Sequence, residues 1–243
     1  MRRQLIIAGF TVLACGLAVG LLLLIGQVAR LSLMTAERYQ LPFQAIDSPT
    51  PPGMERGAFL AEVRYYGQLP DPLPLLDDQL SDKLAQAFAR HPWVERVEQV
   101  QLGPGRRVQV QLRLRTAVLA VRLPDGTIRA VDRSGILLPR GADTHALPLL
   151  VATSTPPGPG RPWGDRQVET AAHVAHLLGP YQDEWRFNHF AWQGDVLLLR
   201  RGPRSGPVVV WGEADGDHAA RLRRLIDSAA KLEAGEGTID LRE

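Results

Sequence analysis

His173 and His176 stand three residues apart, a spacing that puts two imidazoles on one side of a helix, with His189 as a conceivable third ligand for a divalent metal. Both flank an apolar stripe within Ala172-His173-Val174-Ala175-His176, which fits the solvated edge of a surface helix better than a metal centre. Trp93, Trp163, Trp185, Trp192 and Trp211 could stack glycans or bases, but they follow Pro or Gly turns or sit at strand ends, where indoles close core edges. Arg221, Arg223 and Arg224 read as the wet face of a helix, with their stems over apolar surface. No glycine-rich phosphate loop, paired-cysteine zinc spacing or nucleophile elbow occurs. The sequence therefore assigns no catalytic, cofactor or metal residue and calls for no cofactor.

The elements that would carry these side chains are legible from periodicity. Phe59 to Tyr66 has strand character. After a Pro-rich turn, Leu76, Leu80, Leu84 and Phe88 recur on one helical face, with Asp77 or Asp78 as cap and Pro92 enforcing a stop at His91. Val94 to Leu102 and Val108 to Leu114 flank Gly103-Pro104-Gly105 as a β-hairpin, and Trp93 is expected to lay its ring against Leu84 or Phe88. From Val118 onward the pattern opens a meander: a strand before Pro124-Asp125-Gly126, Thr127 to Val131, a turn at Asp132 to Gly135, and Ile136 to Leu138. A Pro-rich loop, Thr153 to Gly164, precedes a helix from about Asp165 to Leu178. Three hairpin strands follow at Phe187 to Trp192, Val196 to Arg200 and Val208 to Trp211. Asp217 caps a last helix with the core stripe Leu222, Leu225, Ile226, Ala229 and Leu232, and Thr238 to Arg242 is a final strand.

The chain of 243 residues carries 28 Lys plus Arg against 26 Asp plus Glu, so nothing in its charge points to nucleic acid. No ionisable residue occurs from Gln4 to Ala29, and Leu5 to Ile25 is almost wholly apolar, which predicts a membrane span that is neither a cleaved signal peptide nor a lipoprotein box around Cys15. Arg2 and Arg3 precede it, favouring a cytoplasmic amino terminus with the following domain outside the cytoplasm. Gly16 and Gly20 form a small-xxx-small pair suited to close helix packing in that span. Pro42 to Gly57, with Pro49, Pro51 and Pro52, reads as a tether.

His91-Pro92-Trp93-Val94, the hairpin, Asp125-Gly126, Val131-Asp132, Gly135-Ile136-Leu137-Leu138-Pro139, Val210-Trp211-Gly212-Glu213 and Ile239-Asp240-Leu241-Arg242 come in an order that resembles the FtsQ/DivIB cell-division proteins. The resemblance covers the whole chain. It implies an α+β protein: a cytoplasmic tail and single N-terminal transmembrane helix (1–30), a tether (31–57), a small POTRA-like α/β module (58–122) and a mixed β-sheet domain with helices (123–243). Family POTRA modules usually have two helices, but only about nine residues separate Gly67 from Asp77, so the first is expected to be shortened or missing. The implied function is non-enzymatic: a scaffold in the inner membrane at the division site, binding divisome membrane proteins resembling FtsB and FtsL. No nucleic acid or small-molecule substrate is called for. An exposed edge formed by Thr238, Ile239, Asp240, Leu241 and Arg242 would accept an extended partner segment. The alternative is a membrane-anchored envelope enzyme or glycan-binding protein acting on peptidoglycan through Trp stacking and the His pair. A POTRA chaperone would normally show repeated modules and a barrel.

Overall fold

The computed structural model describes residues 16–27, 36–202, 207–230 and 237–242. The first described element is helix α1, residues 16–27. It corrects the expected span: among the described residues no helix is long and apolar enough to cross a membrane. The beginning of the expected span, from Leu5, lies outside the described residues. The single-pass, inner-membrane location read from the sequence loses its basis with the span. Gly16 and Gly20 lie on α1 with nothing within 4 Å of where a Cβ would stand, so no described helix packs on that pair.

The chain divides into two compact units. The first comprises Met1–Thr50, Arg56–Arg90 and Val97–Leu112. Within it β1 (Gln40–Leu41) pairs antiparallel with β2 (Leu73–Pro74), and Asp47 bridges β4 (Arg107–Leu114) in parallel, next to the hairpin partner β3 (Val94–Gly103). Part of the segment read as a tether is thus built into the unit, because Leu41, Phe43 and Ile46 bury fully. The segment read as a strand, Phe59 to Tyr66, is instead in helix α2 (Arg56–Gly67). Phe59, Leu60 and Val63 share one helical face, and that face is buried. α2 packs on α3 (Leu80–Ala89): the Phe59 and Phe88 rings lie 5.9 Å apart, and a Cβ on Gly67 would stand 2.4 Å from that of Ala87. Two helices therefore precede the hairpin where the sequence left room for one. Asp77 does not cap α3 as its N-cap residue; it accepts the Gln79 N–H and pairs with Lys83.

The second unit comprises Pro51–Glu55, His91–Arg96 and Arg113–Glu243. Its strands are β5 (Leu119–Arg122), β6 (Ile128–Val131), β7 (Leu149–Val151), β8 (His189–Gln193), β9 (Val196–Arg200), β10 (Val208–Glu213) and β11 (Thr238–Asp240). They form one seven-stranded mixed sheet in the order β11-β10-β9-β8-β7-β5-β6. The expected meander is present, β6 pairing antiparallel with β5 and residues 136–138 with β6, but β7 does not extend it: it returns to pair parallel with β5. The parallel pairs β7–β8 and β10–β11 are bridged by helices α4 (Arg166–Leu178) and α6 (His218–Asp227), as parallel crossovers require. Both helices start on side-chain caps, Asp165 accepting the Gln167 N–H and Asp217 that of Ala220. A short helix, α5 (Gln182–Trp185), precedes β8. Val168, Ala171, Ala175 and Leu178 of α4, and Leu225 of α6, join the strands in one core. Ile226 stays exposed, and Leu232 lies outside the described residues. Trp93 packs with Ala130 and Leu138 in a satellite cluster of this unit, in place of the Leu84 or Phe88 contact expected. The α+β class and mixed sheet match the sequence reading; the transmembrane helix attached to it does not.

Candidate docking edge

Among the described residues β11 ends the sheet and pairs with β10 alone, Thr238 opposite Val208, Ile239 opposite Val209 and Asp240 opposite Val210. Ile239 and Leu241 are buried in the core, while Thr238, Asp240 and Arg242 are exposed, as the alternation predicts. The Leu241 N–H donates to the Val210 carbonyl at 3.0 Å. Backbone polarity alternates along a strand, so the N–H and C=O of Ile239 also face β10, and those of Thr238 and Asp240 face away from it. The Arg242 N–H is taken by Asp240 Oδ1, and the Arg242 guanidinium straddles the same carboxylate, whose hydrogen bonds hold it below the usual carboxylate range. The backbone groups that face outward on this margin are thus those of Thr238 and Asp240.

The opposite margin is partly covered. β6 carries the segment 136–138 on its outer side, with Leu138 N–H donating to the Ala130 carbonyl and Asp132 N–H to that of Ile136.

α6 adds to the hold of β10 and the core on this end of the sheet. Arg224 Nη1 donates to the Leu241 carbonyl at 2.6 Å, and Arg221 Nη1 to the Glu213 carbonyl at 2.7 Å. Arg221 is only 9% exposed, which corrects its reading as part of a wet face. It lies where Gly212 and Gly216 have no side chains: a Cβ on Gly216 would fall 2.0 Å from its guanidinium carbon. Gly212 has φ +108° and lies at the irregularity where β10 shifts register against β9. The Trp211 indole N–H donates to His218 Nδ1 at 3.0 Å, and the His218 ring centroid is 5.5 Å from that of His173. Neither ring contact was read from the sequence; for buried Arg221, Gly212 and Gly216 were the signal that a bulky side chain needs the space.

His173 and His176 project from α4 into exposed positions, and His189 opens β8. Among the described residues no three His, Cys, Asp or Glu side chains come together as a metal site. Trp93, Trp163, Trp185 and Trp211 are buried, so the tryptophans form no stacking platform; Trp192 is half-buried and donates to the Gln167 carbonyl. An apolar groove of about 570 Å³ lies beside the end of α4, lined by Ala117, Leu147, Pro148, Leu177 and Pro180, with His176 the one ionisable residue in its wall.

No family model matches the chain, and no curated protein sequence matches it.

Proposed function

We propose that this protein is a non-enzymatic scaffold of the bacterial cell-division machinery that receives an extended segment of a partner on β11. The observation that carries the reading is the margin itself: Thr238 and Asp240 present outward backbone groups on a strand anchored by Ile239, Leu241 and Arg224. An anchored strand with an open side offers main-chain hydrogen bonds for affinity and alternate side chains for specificity. The resemblance to FtsQ/DivIB proteins supports the divisome assignment and the partners it implies, small coiled-coil proteins resembling FtsB and FtsL.

The test is co-purification of such a partner with three variants. Asp240→Pro removes an outward N–H and should abolish recruitment while circular dichroism stays that of the wild type. Asp240→Ala keeps the N–H and should still recruit. Ile239→Pro removes a donor directed at β10 and should detach the strand itself. Undiminished recruitment by a folded Asp240→Pro chain would exclude this margin as the docking site.

A further inference from the structure

The Trp211–His218 pair lies where α6 leaves β10, and its chemistry depends on one proton. Trp211 is fully buried and its indole N–H can only donate, so His218 Nδ1 must carry a lone pair. Protonating Nδ1 would set two donors against each other and strand a buried N–H. His218 is also the first residue of α6, where the positive end of the helix dipole opposes an imidazolium.

We propose that His218 is a proton-operated latch: neutral, it fastens α6 to β10, and on protonation it lets go of α6 and so of the terminal strand that α6 secures. The route to the strand is short, because Arg221 and Arg224 of the same helix hold the Glu213 and Leu241 carbonyls. As regulation of docking, this rests on the reading of β11 given above; the latch itself is a property of the fold.

The groups around His218 set the direction. Burial opposes its charge most, followed by His173 across from it on α4 and Arg221 one turn along α6. The Ala214 carbonyl and the Asp217 carboxylate pull the other way without prevailing. His173, exposed at its edge, is itself held below its ordinary value by partial desolvation and by His176. Glu213 at the end of β10 gives its carbonyl to Arg221, and Asp215 in the following turn pairs with Arg166 of α4. His218 thus titrates below its ordinary value in the closed state, and opening, which returns the ring to water, moves it back toward that value. Between those values the opened state binds more protons, so closure is complete above the ordinary value and weakens as pH falls through the window.

Hydrogen exchange of the full chain from about pH 5 to about pH 8, corrected for intrinsic rates, tests this. Protection of 218–227 and 238–242 should fall by up to about tenfold per pH unit in the window, while α3, which has no histidine, serves as reference. His218→Gln offers a carbonyl to the indole but does not titrate, and should abolish the dependence. His173→Asn leaves the latch in place and should shrink the loss. Wild-type protection of 238–242 that ignores pH, or an unchanged dependence in His218→Gln, would overturn the latch. Failure of the partner to co-purify at any pH would count against the docking reading alone.

Discussion

Replacing Asp132 with Ala should be the most damaging single change in the second unit's turn region. Its Oδ2 accepts Arg115 Nη1 at 2.6 Å, with the two side chains 13% and 4% exposed, Arg115 first. Its Oδ1 takes the N–H groups of Ser134 and Ile136, closing the turn that lays 136–138 along β6. Arg115 Nε is buried and has no hydrogen-bond partner among the described residues, so removing the carboxylate leaves a largely desolvated guanidinium with little else to satisfy it. Breaking a buried pair by deleting one partner costs about 3 to 5 kcal/mol. For a unit of this size that is roughly 6 to 20 °C in Tm. Asp132→Asn keeps an acceptor for both N–H groups and loses only the charge, so it should cost about 1.5 to 3 kcal/mol. All five tryptophans belong to the second unit, so a thermal melt followed by tryptophan fluorescence reports on it selectively. A Tm change below about 3 °C for Asp132→Ala, or equal losses for Ala and Asn, would refute the assignment of the pair as an essential buried contact.

Trp93→Ala should cost about 3 to 5 kcal/mol through the cavity left beside Ala130 and Leu138, read from the same melt. Gly135→Ala should cost about 1 to 3 kcal/mol, since φ is +70° and its Cβ would meet Glu169 Cγ at 2.6 Å and Cα at 2.9 Å; denaturant unfolding measures it. Gly216→Ala should expel the Arg221 guanidinium and lower protection of 238–242, measured by hydrogen exchange at neutral pH.

The hairpin β3–β4, α4, the Asp217 cap of α6, β9 and the terminal strand were legible because alternation, capping or turn residues agreed at each. α2 was misread because Phe59, Val63, Tyr65 and Tyr66 are aromatic or β-branched and score as strand, while tertiary packing against α3 decides for helix. Sheet order was not legible, since nothing local says that β7 will insert beside β5 rather than β6. The facing of Ile239 and Leu241 followed from period two alone, but which backbone N–H groups point outward depends on the parallel register with β10. The arginines of α6 read as solvent-facing by type; only the side-chain-free pocket at Gly212 and Gly216 makes room for Arg221 inside. His218 drew no attention because its partner Trp211 and neighbour His173 come from other elements.

The covering of β6 by residues 136–138 also sets a stoichiometry. A sheet that can be extended at both margins is a monomer for polymerisation, because each added strand or copy re-creates the site it filled. With its own residues 136–138 along part of β6, this sheet is hindered at that margin, and two copies meeting at β11 would use up each other's open edge and close as a pair.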